Sequence, residues 1–347
     1  MSEHLRLLYT FGRPFSPFYS VAMSLRAAFY QKGLFKQQRL PVPVISVGNL
    51  TLGGTGKTPM VIYLARLLAA RKPVIVSRGY GGRARERVNV VSDGRTICLT
   101  APAAGDEPFF LAENLPGVPV LTSRNRVDGG RYAVEHLGAG AVILDDGFQH
   151  LGLWRDVNLA LFKVDSFLGN NRVFPGGDMR EPLKALERAD CFVLTCVDED
   201  NRKRAEAINR ALNKRFAGIP VFMTGFRPLS LVTADGGEIA LADGPASFFG
   251  FCGLANPHSF QRSLQLAGIK LDGFQVFRDH CRYFKPELDF LHKQSRGSAA
   301  QAYITSEKDL VKLQGRQLAK PLYALRMEVA AGEDFDRFVL EKLESAG

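Results

Sequence analysis

The chain has no low-complexity tract and no clear internal repeat. With 46% apolar and 23% charged residues, its composition excludes a disordered reading and fits a folded globular protein. Its 347 residues suffice for two domains of ordinary size, each with its own core. Cysteine is sparse. Cys98, Cys191, Cys196, Cys252 and Cys281 are scattered, none forms a CxxC pair, and none joins a histidine at zinc-finger spacing. Reduced, mostly buried thiols are expected, rather than a disulfide framework. The start lacks an apolar core followed by a cleavage site, so no secretory signal is expected. No window reaches about 18 apolar residues without a charge, which excludes an ordinary membrane-spanning helix.

What is present begins with charge. The net charge is +10, and residues 1–40 carry six lysines and arginines (Arg6, Arg13, Arg26, Lys32, Lys36, Arg39) against Glu3 alone. From Phe15 to Tyr30 the apolar positions Phe18, Val21, Ala22, Leu25, Ala28 and Phe29 recur at helical spacing, interrupted by Arg26. A basic amphipathic helix of this kind suits an anionic membrane surface better than a nucleic acid. The competing reading is a helix packed on the protein's own core.

Beyond Pro41 and Pro43, short β-branched runs alternate with helical patterns. Strands are expected at Val42–Val47, Val74–Ser77, Val118–Thr122, Ala141–Leu144, Leu159–Val164, Cys191–Cys196 and Val221–Thr224. Helices are expected at Pro59–Ala70, Glu107–Glu113, Arg126–Leu137 and over 198–216. In the last, Asp198, Glu199 and Asp200 would meet the positive end of the dipole. The alternation predicts an α/β fold with a mostly parallel sheet covered on both faces. After Gly225 the texture becomes loop-rich, with Asp235-Gly236-Gly237 as a turn. The expected organisation is an N-terminal segment over 1–40, a main domain over 41–225 and a smaller α/β domain over 226–347.

Four strings carry chemistry. Thr51-Leu52-Gly53-Gly54-Thr55-Gly56-Lys57-Thr58 lies between a predicted strand and a predicted helix. Glycines there let backbone N–H groups converge on phosphates, Lys57 can reach the outer phosphates, and the Thr58 hydroxyl can ligate Mg²⁺. Thr51 stands where the standard pattern has glycine, so the turn is expected to use Gly53 and Gly54, or Gly48 upstream. Asp145-Asp146 closes a strand, where such proteins hold magnesium. Asp106, in Gly105-Asp106-Glu107-Pro108, could accept a proton from a hydroxyl or cap the next helix; spacing alone favours the cap. Asp279-His280 could form a carboxylate–imidazole pair. Arg78, Arg124, Arg126 and Arg180 follow strands or turns and suit anionic substrates.

Together these strings resemble the tetraacyldisaccharide 4′-kinases of lipid A synthesis. The resemblance rests on Val44-Ile45-Ser46-Val47-Gly48-Asn49-Leu50-Thr51 with Gly53-Gly54-Thr55-Gly56-Lys57-Thr58-Pro59, Ser77-Arg78-Gly79-Tyr80-Gly81-Gly82, Gly105-Asp106-Glu107-Pro108, Asp145-Asp146-Gly147-Phe148-Gln149-His150, Arg180-Glu181-Pro182 and Thr305-Ser306-Glu307-Lys308-Asp309. Thr51 is itself the family's form. The resemblance implies a P-loop fold and transfer of the γ-phosphate of ATP, with Mg²⁺, to the 4′-hydroxyl of a tetraacylated glucosamine disaccharide 1-phosphate. It implies work at the cytoplasmic face of the inner membrane, with the N-terminal helix reaching the lipid. No nucleic acid and no obligate protein partner are expected. It makes Asp106 the catalytic aspartate with His280 as partner, and puts Asp145, Asp146, Glu181 and Thr58 around the metal. Tyr80, Gln149, His150, Arg126 and Arg180 fall near the nucleotide or phosphates. Two rival readings carry signatures of their own. A membrane-bound nucleotide switch would be supported by a guanine-specifying Asn-Lys-x-Asp string, which is absent. A nucleic-acid-binding ATPase predicts a basic groove with interleaved aromatics.

Overall fold

The computed structural model describes residues 9–52, 54–254, 257–278, 281–313 and 315–345. It divides into two compact units, one of residues 1–225 with 331–347, the other of Phe226–Ala330.

Among the described residues the first unit is built on an eight-stranded sheet, ordered β3-β4-β2-β5-β1-β6-β7-β8. The strands are β1 (Val44–Gly48), β2 (Pro73–Ser77), β3 (Asn89–Ser92), β4 (Val120–Thr122), β5 (Ala141–Asp145), β6 (Val157–Lys163), β7 (Cys191–Thr195) and β8 (Val221–Met223). All pairings are parallel except β3 on β4. Strands β1, β2, β5 and β7 are buried at every position, as expected of apolar, β-branched runs covered on both faces. The edge strand β3 carries only four residues, Asn-Val-Val-Ser, too few and too mixed to stand out in the sequence. Helices Lys57–Leu67, Asp106–Asn114, Arg126–Leu137 and Arg202–Arg215 fill the crossovers.

The helix read over 198–216 starts at Arg202, so Asp198, Glu199 and Asp200 precede it and do not lie in its first turn. Asn201 and Asp198 exchange side-chain to backbone hydrogen bonds instead, at 3.0 Å each, a local turn that competes with helix. And the stretch 226–250 is not loop-rich: it holds the antiparallel pair β9 (Gly225–Thr233) and β10 (Glu238–Ala240) around Asp235-Gly236-Gly237.

The second unit continues with β11 (Phe248–Cys252), β12 (Leu271–Val276), β13 (Ala302–Ser306) and β14 (Leu322–Ala330), in the order β10-β9-β14-β13-β11-β12. Its cores gather Phe251, Tyr283, Tyr303 and Leu291 on one side and Phe248, Phe260, Leu264 and Ile304 on the other. The last helix, Glu333–Glu344, belongs to the first unit, not to the smaller one in which its sequence position placed it. Its Phe335 is buried beside Tyr63 and Phe222, and Asp336 accepts from the Tyr63 hydroxyl at 2.5 Å.

Candidate active site

The parallel register of β1 on β5 aligns Val47 with Asp145, so the loop after one strand and the acids ending the other leave the sheet side by side. The two exits touch. A Cβ at Gly48 would lie 2.5 Å from the Phe148 Cβ, so only glycine fits there. Asn49 is buried; its amide donates to the Thr51 carbonyl at 2.6 Å and its Oδ1 accepts from Lys57 Nζ at 3.3 Å.

Thr51 does not occupy a glycine conformation. It forms an antiparallel bridge with Met179, flanked by Leu52 N–H to the Asp178 carbonyl and Arg180 N–H to the Leu50 carbonyl, both 2.7 Å. A β-branched residue suits that extended segment. The bridge also delivers Arg180 to the phosphate loop. Gly54 is exposed, and a Cβ added there would meet nothing within 4 Å. Gly56, at φ +80°, caps the helix Lys57–Leu67 in the left-handed region. Thr195 donates to the Thr55 carbonyl at 2.8 Å and holds the loop from below. Gly53 lies outside the described residues.

The two acids differ. Asp145 is almost fully buried, accepts from the Ser77 hydroxyl at 2.9 Å, and burial raises its carboxyl to about 6. Asp146 turns in the left-handed region (φ 53°), which aims it at Arg180 at 2.7 Å and Lys57 at 3.6 Å. Burial pushes it up, but Lys57 and Arg180 outweigh that and hold it below the usual carboxylate range. Asp146 Oδ1 is buried without a hydrogen-bond partner. Two adjacent carboxylates, one with an oxygen short of hydrogen-bond partners, and a threonine in the first turn of the helix that brings Lys57 to Asp146, fit a hard cation that takes few protein ligands and completes its shell with phosphates and water. Among the described residues no group of three or more acidic, histidine or cysteine side chains could hold a metal by itself.

Glu181, expected at the metal, is closed off. Arg188 takes both of its carboxylate oxygens, at 2.7 and 2.8 Å, donates to the Phe148 carbonyl at 3.0 Å and stacks on the Phe148 ring at 4.1 Å. Glu181 thus braces the loop carrying the acids. Arg126 is likewise turned inward: it donates to the Ser123 and Asp145 carbonyls at 3.2 Å, and burial lowers it to about 10, still charged at neutral pH. Gln149 clasps the site, donating to the Asn49 carbonyl at 2.9 Å and accepting from Arg180 at 3.4 Å. The His150 ring is pushed down to about 4 by burial and then by Arg126, Arg155, Arg26 and Arg78, so it is neutral.

Asp106 does not cap its helix. Gly105, at φ +97°, holds the cap position, and the exposed Asp106 carboxylate has no hydrogen bond or ion pair among the described residues. The turn before it is pinned by the Arg78–Gly82 loop: a Cβ on Gly105 would lie 2.6 Å from the Tyr80 carbonyl oxygen. Tyr80 and Arg78 are exposed beside it. Asp279 and His280 lie outside the described residues. Sequence reading missed Asn49, Ser77, Arg26 and Arg188. The first two stood inside strings already singled out; Arg188 closes a short 3₁₀ turn and carries no pattern.

The family model described as Tetraacyldisaccharide-1-P 4′-kinase (LpxK) matches residues 8–344. A tetraacyldisaccharide 4′-kinase of Desulfotalea psychrophila is 43% identical over 98% of both chains, and one of Syntrophus aciditrophicus is 40% identical over 95% of this chain and 92% of that one. A crystal structure of LpxK from Aquifex aeolicus, an "apo" form in complex with ATP, superposes with a TM-score of 0.70 at 36% identity, over 95% of this chain and 98% of that chain. A match that runs over nearly the whole length, on a sheet that puts the glycine loop beside the paired acids, means that the chain belongs to the tetraacyldisaccharide 4′-kinase family.

Proposed function

We propose that this chain transfers the γ-phosphate of ATP to the 4′-hydroxyl of a tetraacyldisaccharide 1-phosphate. The observation that carries the reading is the Lys57–Asp146 contact at 3.6 Å, which joins the phosphate loop to the paired acids. In this mechanism the backbone N–H groups around Gly54–Thr58 and the Lys57 ammonium cradle the outer phosphates. Asp145, Asp146 and the Thr58 hydroxyl would hold Mg²⁺, which supplies charge neutralisation on the phosphates when bound. Lys57 and Arg180 stabilise negative charge in the transition state, the larger share of catalysis in this chemistry. Asp106, exposed and without a partner among the described residues, accepts the proton of the attacking hydroxyl. The test is an acceptor screen with γ-labelled ATP in detergent micelles. Label should pass to the tetraacyldisaccharide 1-phosphate; transfer to a soluble disaccharide alone, or ATP hydrolysis indifferent to acceptor, would refute the reading.

The acceptor is a lipid, and the N-terminal helix Ser16–Gln31 supports work at the cytoplasmic face of the inner membrane. None of its residues is buried. Phe11, Phe15, Phe18, Val21, Leu25 and Phe29 form an outward stripe, with Phe18 76% exposed. The opposite side is fixed to the protein through Ser16 Oγ to the Val173 carbonyl at 2.8 Å and Tyr19 edge-on to Phe174. Exposed Arg13, Lys32 and Lys36 flank the stripe. Such a helix lies in the interface plane, and no helix among the described residues is long and apolar enough to cross a membrane.

A further inference from the structure

Beside the turn that carries Asp106, a cavity of about 220 Å³ opens against the β3–β4 edge of the sheet. Arg78, Arg85, Arg87 and Arg124 line it, against the acids Glu86 and Asp128. Arg87 and Asp128 neutralise each other in a fork with both contacts at 2.7 Å. Arg78, Arg85 and Arg124 are exposed and make no ion pair among the described residues. Against the one remaining acid, Glu86, these three guanidinium groups leave the hollow net positive, which suits a phosphate monoester.

The cavity is tied to the candidate base by backbone. Arg83 N–H donates to the Pro102 carbonyl at 3.1 Å and Ala84 N–H to the Ala103 carbonyl at 3.0 Å, so the chain leading to Arg85 runs along the chain leading to Asp106. The fit is tight: a Cβ on Gly82 would lie 2.7 Å from the Ala103 and Ala104 carbonyls. Ala104, in the cavity wall, is two residues from Asp106, at most about 8 Å between Cα atoms. On the other side, Arg78 follows β2, whose neighbour β5 ends in Asp145. The hollow is therefore distinct from the phosphate loop, none of whose residues lines it, and adjoins the turn that carries Asp106.

We infer that this cavity binds the 1-phosphate of the acceptor, with Arg85 and Arg124 as its specificity-determining residues and Arg78 at its inner edge. The inference rests on the kinase reading above. A phosphate held here anchors the reducing-end sugar and leaves the distal sugar's hydroxyl toward Asp106. It also explains why the family's acceptor is a disaccharide phosphate rather than a neutral lipid.

The experiment compares two acceptors, the tetraacyldisaccharide 1-phosphate and its 1-dephospho analogue, in neutral-detergent micelles that offer no other lipid phosphate. Arg85→Gln and Arg124→Gln should each raise the KM for the phosphorylated acceptor about tenfold, the loss expected for one charge-assisted contact. The KM for ATP and turnover at saturation should stay near wild type, and neither variant should differ from wild type on the dephospho acceptor. Arg85→Lys and Arg124→Lys should recover part of the loss. Comparing acceptors within one variant cancels any shortfall of folded enzyme. Equal losses on both acceptors, or no loss on either, would overturn the inference. A wild-type enzyme that phosphorylates neither acceptor would overturn the kinase reading instead.

Discussion

Asp106 and Asp145 show how the same side chain is set for different work by its surroundings. Asp106 is exposed at the first turn of a helix, with no partner among the described residues, whereas Asp145 is sealed in the sheet and raised to about 6 by burial. Replacing Asp106 by Ala should lower kcat by about 10²–10⁴-fold, the usual contribution of a general base, with the KM for ATP little changed. Steady-state kinetics against both substrates checks this, and near-normal turnover would remove Asp106 from the base role. His150 gives a pH prediction. Its folded value of about 4 is below the unfolded 6.5, so the unfolded chain binds more protons between the two. The neutral-His150 contribution is fully present above about 6.5 and is lost as pH falls toward 4. Asp145, raised to about 6, acts in the opposite direction over much of that window, so the His150 part is read by difference: on acidification the urea midpoint of His150→Gln should fall less, or rise more, than that of wild type, the slopes differing by up to about one proton.

At the scale of elements, the N-terminal helix couples to the phosphate site. Both terminal nitrogens of Arg26 donate to the Gln149 carbonyl at 3.2 Å, and the Gln149 side chain bridges Asn49 in the phosphate loop and Arg180 on Asp146. Arg26→Ala should raise the KM for ATP about three- to tenfold with a smaller change in kcat, and Arg26→Lys should restore part of it. An effect confined to lipid affinity would argue against this linkage. The outward stripe makes a separate prediction. Phe18→Ser with Leu25→Ser should release the protein from anionic vesicles in a flotation assay while leaving ATP binding intact, because each removes buried apolar area only when the helix is seated in lipid. Both residues were legible from helical spacing alone. Which face turns outward was not, because that depends on Ser16, Tyr19 and Arg26 finding partners more than a hundred residues away.

At the scale of the whole molecule, the chain returns to its first unit at the end. Helix Glu333–Glu344 covers Tyr63 and Phe222 with Phe335, and Lys342 reaches Asp190 at 3.3 Å. Phe335→Ala should destabilise the first unit by about 3–5 kcal/mol, as for other buried aromatic truncations. The check is a denaturant midpoint followed through a probe in that unit, and a change under about 1 kcal/mol would mean the helix is dispensable there.

Periodicity was enough to determine the parallel α/β sheet, the strand-loop-helix around Lys57 and the acids closing β5, because each is a local pattern whose apolar run or glycine spacing has one low-energy reading. The strings around Asp106 and Gln149 stood out through the family resemblance alone, since spacing by itself favoured a helix cap for Asp106 and gave Gln149 no role. Tertiary structure alone decided that Thr51 lies in an extended bridge with Met179, that Glu181 is held by Arg188, that Arg126 faces inward, and that arginines from two separate loops share one hollow. Those outcomes depend on which distant group arrives to satisfy a buried charge or an open backbone N–H. Desolvation sets that cost, and no window of neighbouring residues records it.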